Sequence, residues 1–282
     1  MSDMETGTDD LLFRIDGGVA VLTMNRPDRR NALSGRMLDA LGRALAAIEV
    51  DDDVRCVVLT GAGGAFCSGG DVKGMAGEGG GGGSAKDAKD AKEPPPFDVA
   101  VHRQRLSHRA TSGRLWAMPK PTIAALPGAA AGAGLSLALA CDLRYAVDSA
   151  VMTTAFAKVG FAGDYGGTWF LTRLVGSGKA RELYYFSERL TAVEAERLGI
   201  VNAVFPAETF EDEVMARARR LAAGPVVAYR YMKENLNRAV HGELGECLDM
   251  EAAHHLRTGM TEDHREAARA FVDKRDPVFR GR

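Results

Sequence analysis

The sequence is short of almost everything that marks a specialised protein class. It has four cysteines in 282 residues. Cys56, Cys67, Cys141 and Cys247 stand apart, without the paired spacing that a zinc site or a disulfide framework needs. They are expected to be reduced, structural thiols. No apolar run approaches the ~18 residues that suggest a membrane span. The opening MSDMETGTDD is acidic and polar, where a secretory leader is basic and then apolar. A cytoplasmic location without membrane attachment is therefore expected. Charge of one sign is missing too: the formal net charge is −2, which leaves no electrostatic footprint for nucleic acid. What remains, 46% hydrophobic and 26% charged, is the composition of an ordinary globular enzyme with a substantial core.

Glycine is where the sequence is rich. The stretch Pro127 to Leu171 begins with the small residues Gly128 to Gly134 and continues into an apolar run, Leu135 to Ala140, that reads as a buried helix. A glycine-rich turn opening a helix leaves backbone N–H groups free to face a developing negative charge. Further on, Gly163-Asp164-Tyr165-Gly166-Gly167-Thr168 sets one carboxylate among glycines at the start of another helical segment. An anion-stabilising backbone beside a carboxylate is a proton-transfer site in outline. Spacing alone leaves a second reading open, in which the glycines only allow tight helix packing and Asp164 only caps a helix.

Taken in order, LLFRID and VAVLTM flank Gly17-Gly18, a hairpin signal. NRPDRRNAL is an irregular loop, and Ser34 can cap a helix to about Val50 with Met37, Leu38, Leu41, Leu45 and Ile48 on one stripe. A strand, RCVVLT, runs into a second glycine-rich loop, GAGGAFCSGGD, residues 61–71. That loop lacks the Gly-Lys-Ser/Thr ending of a phosphate-binding P-loop, and no histidine motif supports Cys67 within it as a nucleophile. Residues 77–96, with five successive glycines and three prolines, cannot bury a core and read as a flexible insertion. Residues 97–117 read as one helix. Strands follow at 122–126, 143–147 and 151–154, then a helix, glycine stop and strand over 190–206. Only helices are expected afterwards. The chain is thus of the α/β class: a frayed start over 1–10, a core over 11–206 and a helical region over 207–282.

Five ordered motifs, NRPDRRNAL, VVLTGAGGAFCSGGDVKGM, KPTIAALPGAAAGAGLSLALACDLRYA, GDYGGTWFLTRLVG and LTAVEAERLGIVNAVFP, resemble the crotonase (enoyl-CoA hydratase/isomerase) superfamily from about Leu11 to Arg275. The resemblance implies a spiral of ββα units with a C-terminal helical trimerisation region, assembled as a homotrimer or homohexamer. It implies acyl-CoA thioester substrates, with coenzyme A part of the substrate and no metal or other cofactor. The shared chemistry holds a thioester enolate with two backbone N–H groups, which map here to Gly70 and Ala133. Fixed dipoles aimed where charge develops are an oxyanion hole. For coenzyme A, the resemblance offers Arg30 and Lys73 as phosphate contacts, and the backbone around Ala32, Ser68 and Val72.

One departure bears on the reaction. Hydratases of the family carry two glutamates, and the matching positions here are Ser136, six residues before Asp142, and Phe156, twelve before Thr168. Hydration needs one group to deprotonate water and another to protonate carbon, so simple hydration is disfavoured. What remains is Asp164, four residues before Thr168. A carboxylate there is a feature of isomerases in the superfamily, and the local string most resembles the 1,2-epoxyphenylacetyl-CoA isomerase branch. Asp164 is expected to act as acid and base, its pKa raised by burial in a pocket that Phe156 makes drier and Tyr165 helps to line. A dehalogenase of the superfamily uses an aspartate at this position as nucleophile. A hydratase-like lyase and a non-catalytic acyl-CoA-binding homologue are the alternatives. Ser136 could orient substrate or water. His108, His254 and His255 read as surface, half-buried or interface residues outside the chemistry, and Trp116 and Trp169 as packing.

Overall fold

The computed structural model describes residues 2–71 and 95–282. Strand β1 (Ser2–Met4) lies antiparallel to β2 (Leu11–Asp16), which turns through Gly17 and Gly18 into β3 (Val19–Met24). Both glycines have positive φ, 59° and 79°, which a two-residue hairpin turn of this hand requires. Within the start expected to be frayed over 1–10, Ser2–Met4 forms strand β1. The open edge of β2 offers unpaired backbone groups, and Ser2–Met4 pairs with Phe13–Ile15.

Helix Gly35–Val50 starts where the sequence indicates. The Ser34 hydroxyl accepts the Met37 N–H at 3.1 Å, and Met37, Leu41, Leu45 and Ile48 are buried on its inner stripe. The remaining strands are β4 (Cys56–Gly61), β5 (Ala65–Cys67), β6 (Thr122–Leu126), β7 (Ala129–Ala131), β8 (Leu143–Val147), β9 (Val151–Thr153), β10 (Leu190–Thr191) and β11 (Ala203–Phe205). Seven strands form one sheet in the order β1-β2-β3-β4-β6-β8-β11, parallel from β3 onward. Its inner strands are almost continuously apolar and buried, as parallel strands covered on both faces must be. The other four form a small sheet, β10-β9-β7-β5, in which β5, β7 and β9 are parallel. Helix Ala133–Leu139, buried at every residue, packs between the sheets against β5, β6 and β7.

The helix expected over 97–117 is interrupted. Phe97–His108 is α-helical, Arg109–Gly113 forms a π turn, and Arg114–Ala117 resumes the α-helix. Within the π turn, the hydroxyls of Thr111 and Ser112 donate to the carbonyls of Ser107 (2.8 Å) and His108 (3.1 Å), meeting acceptors that the wider turn displaces. After Phe205 the chain is helical: Phe210–Ala222, Val226–Ala239, Leu244–Gly259 and Glu262–Asp273. The insertion read at 77–96 lies, up to residue 94, outside the described residues.

Candidate active site

Three parallel strands of the small sheet end side by side, and each runs directly into a predicted site segment. β5 leads to Ser68–Gly70, β7 to Gly132–Ala133, and β9 to Thr154–Phe156. The first two loops touch backbone to backbone. Gly69 has φ +91°, and a methyl group there would sit 2.9 Å from the Ala131 carbonyl oxygen and 3.4 Å from the Ala133 nitrogen. Only glycine fits. The Gly132 N–H donates to the Thr153 carbonyl at 3.0 Å, which ties the second loop to the third. Ala133 is the first residue of its helix, and Gly132 before it has no side chain to cap the helix. Among the described residues, no hydrogen bond uses the N–H of Ala133 or of Gly70. The two expected donors are therefore neighbouring and unspent.

The segment offered for coenzyme A is strung along the same rim. Ser68 N–H donates to the Arg30 carbonyl at 2.9 Å, Leu33 N–H to the Gly69 carbonyl at 2.8 Å, and the Ser68 hydroxyl to the Arg29 carbonyl at 3.2 Å. Arg30 is exposed and Ala32 buried. Val72 and Lys73 lie outside the described residues. Asn31 holds this loop in place. Itself buried and left-handed at φ 56°, it donates to the Ala62 and Ala65 carbonyls at 2.9 and 2.8 Å and accepts the Arg26 N–H at 2.9 Å.

Where hydratases of the family carry glutamates, the structure has a hydroxyl and an apolar wall. Ser136 is 1% exposed and donates to the Gly132 carbonyl at 3.2 Å. Phe156 stacks on Tyr184, centroids 5.8 Å apart and planes 8° from parallel. The Tyr184 hydroxyl meets Ser136, and burial pushes that phenol up, with the Asp164 charge adding to the effect against the Ser136 hydrogen bond. Gly167 completes the contact, for a methyl there would lie 2.2 Å from Ser136 Oγ and 2.7 Å from the Tyr184 hydroxyl.

Asp164 sits on the loop before helix Gly167–Phe186, its carbonyl accepting the Gly167 N–H at 3.0 Å. Its side chain keeps 29% exposure and is not enclosed by apolar groups, which corrects the dry setting expected for it. Hydrogen-bond donors surround it instead. His108 Nε2 lies 2.5 Å from Oδ1, Gln104 Nε2 lies 3.1 Å from Oδ1 and 3.3 Å from Oδ2, and the Tyr165 N–H donates to Oδ1 at 3.1 Å. His108, read from sequence as outside the chemistry, is thus a direct partner of the candidate base. Tyr165 is 2% exposed, packs on the His108 ring at 4.5 Å, and has its hydroxyl 3.3 Å from that of Ser107. Burial pushes its phenol up to about 12, so it stays protonated at neutral pH.

Elsewhere, Cys67 is fully buried and donates to the Asn31 carbonyl at 3.0 Å. Burial pushes its thiol up to about 12, so it carries no thiolate nucleophile. Trp116 and Trp169 pack edge to face at 5.0 Å. His254 is not a surface residue but lies between two C-terminal helices, with Nδ1 2.6 Å from Asn235 Oδ1 and its ring on Tyr231. Among the described residues, no group of three or more His, Cys, Asp or Glu could hold a metal ion, and no helix is long and apolar enough to cross a membrane.

Comparison with known proteins agrees with this geometry. The enoyl-CoA hydratase/isomerase family model matches residues 14–282. The 1,2-epoxyphenylacetyl-CoA isomerase of Escherichia coli K12 is 36% identical over 96% of this chain and 98% of its own length. Among solved structures, an enoyl-CoA hydratase from Polaromonas superposes with a TM-score of 0.84 at 33% identity, covering 96% of this chain and 99% of the other. One from Bacillus anthracis gives 0.85 at 31%, covering 97% and 100%. Matched from end to end in sequence and in fold, the chain belongs to the enoyl-CoA hydratase/isomerase family, the crotonases.

Proposed function

We propose that this crotonase is an acyl-CoA isomerase, which moves a double bond, or opens a ring epoxide, through a thioester enolate. The observation that carries the reading is an exchange of groups around one cleft. Both hydratase glutamate positions are filled by residues without a carboxylate, Ser136 and the Phe156 ring stacked on Tyr184. A carboxylate, Asp164, stands on the neighbouring loop, close enough for its charge to act on the Tyr184 hydroxyl. Gly70 and Ala133 N–H groups hold the enolate oxygen, each donor worth roughly 3–4 kcal/mol of barrier. One carboxylate suffices for a 1,3-shift, because the proton it removes is the proton it returns. Arg30 and the backbone at Ala32 and Ser68 receive the coenzyme A portion. The resemblance to a 1,2-epoxyphenylacetyl-CoA isomerase over 96% of the chain points the same way.

The test is incubation with 3-hexenoyl-CoA in D2O, followed by conjugated-enoyl absorbance and mass spectrometry. Conversion to the 2-enoyl thioester by the parent and none by Asp164→Asn is the expected result. Hydration of crotonyl-CoA that survives Asp164→Asn would replace this reading with a hydratase. Binding of CoA esters without turnover of either the enoyl or the epoxide substrate would replace it with a non-catalytic homologue.

A further inference from the structure

The two oxygens of Asp164 are not equivalent. Oδ1 faces three nitrogens: His108 Nε2 at 2.5 Å, the Tyr165 backbone at 3.1 Å and Gln104 Nε2 at 3.1 Å. Oδ2 has, among the described residues, Gln104 Nε2 alone, at 3.3 Å. An ionised carboxylate offers about two lone-pair sites per oxygen, so Oδ1 is saturated and Oδ2 is not.

The contact between His108 and Oδ1 needs one proton between them. Gln104 Nε2 also lies 3.0 Å from His108 Nε2, and as an amide NH2 it can only donate. With the shared proton on His108 Nε2, both nitrogens turn their hydrogens toward the carboxylate. We propose that His108 is a positioning residue that donates Nε2–H to Oδ1 of Asp164 and so leaves Oδ2 as the atom that carries the substrate proton. The proposal rests on the reading of Asp164 as the base.

In a β,γ to α,β shift, the Cα–H bond breaks and its electron pair enters the dienolate. The proton forms an O–H bond at Oδ2, then leaves for the γ carbon and restores the carboxylate. The Nε2–H bond of His108 stays intact throughout. The π turn supports the arrangement, since Ser112 Oγ holds the His108 carbonyl at 3.1 Å and fixes where the ring starts. The groups facing the ring are Asp164 and Tyr165 from the loop, with Gln104 from its own helix. Tyr184 lies beyond Asp164. Both phenols are pushed up by burial, Tyr165 to about 12, so both stay protonated at neutral pH.

The experiment compares the parent, His108→Leu, His108→Gln and Asp164→Asn on 3-hexenoyl-CoA at neutral pH. Losing the fixed geometry of a base costs on the order of 10- to 100-fold, so His108→Leu should lower kcat by that factor and leave KM nearly unchanged. His108→Gln keeps an N–H donor at that reach. It should retain most of kcat. A His108→Leu protein with the parent's kcat, beside an inactive Asp164→Asn, overturns the proposal alone. An active Asp164→Asn overturns the base reading beneath it. Nitrogen-15 NMR of the imidazole, assigned by difference against His108→Gln, reads the tautomer whether or not a substrate turns over or the leucine variant folds. Nε2–H is expected, and Nδ1–H with a bare Nε2 overturns the assignment.

Discussion

Gly167 is the point at which the placement of the candidate base can be probed through stability alone. Alanine there adds a methyl 2.2 Å from Ser136 Oγ, 2.7 Å from the Tyr184 hydroxyl and 3.1 Å from Ser136 Cβ. Overpacking of a buried contact typically costs about 1–3 kcal/mol. At roughly 2–4 °C per kcal/mol for a chain of this size class, Gly167→Ala should lower Tm by about 2–12 °C. Ser136→Ala removes the nearest obstacle and one hydroxyl-to-carbonyl bond, to Gly132 at 3.2 Å, for a net cost of about 1 kcal/mol. The double variant should therefore lose less than the sum of the two singles, by on the order of 1 kcal/mol. A complete double-mutant cycle in urea measures this. Additivity within about 0.5 kcal/mol would refute the claim that the two residues meet. Because the Gly167 N–H also holds the Asp164 carbonyl at 3.0 Å, Gly167→Ala should lower kcat as well.

Two more outcomes follow from buried groups described above. Iodoacetamide at about pH 8 should label native protein at Cys247 alone, since Cys56, Cys67 and Cys141 are buried with thiols pushed up to about 12; native labelling of Cys67 would contradict the burial argument. Asn31→Ala removes three hydrogen bonds to backbone groups, the one to the Ala65 carbonyl fully buried, each worth about 0.5–1.5 kcal/mol net, so thermal melting should show a fall in Tm of roughly 3–18 °C. A change under about 2 °C would mean that the loop is held by something else.

Much of the architecture is local, and local chemistry is what a sequence displays. The Gly17-Gly18 turn, the Ser34 cap, the buried 133–139 helix and both glycine loops each follow from a few adjacent residues, and each stands where those residues indicate. The partners of Asp164 are another matter. His108 and Gln104 lie 56 and 60 positions away in the chain, on a helix with no buried residues, so no apolar stripe reveals which face turns inward. The one available signal was their four-residue spacing, which sets both on one face. Tyr184 was hidden for the same reason: it reaches Ser136 from far along helix Gly167–Phe186, and only packing brings it there. The expected dry pocket failed because that reasoning weighed Phe156 and not the polar helix that covers the carboxylate. The pairing of β1 could not be foreseen because three residues carry too little pattern to mark a strand.

The π turn at Arg109–Gly113 makes chain length a determinant of chemistry. An α-helix advances about 100° per residue, so excising one residue from that turn, and so making the helix regular, would rotate everything upstream by roughly that angle about the axis. His108 and Gln104 would swing away from Asp164 with no change in their identities. The same residues, in the same order, would then surround a carboxylate without side-chain donors from that helix. A single-codon deletion in that helix is thus a compact route by which a lineage on this scaffold could gain or shed a histidine beside its base. Alignments that score such a gap as a neutral slip in a surface helix would miss the event.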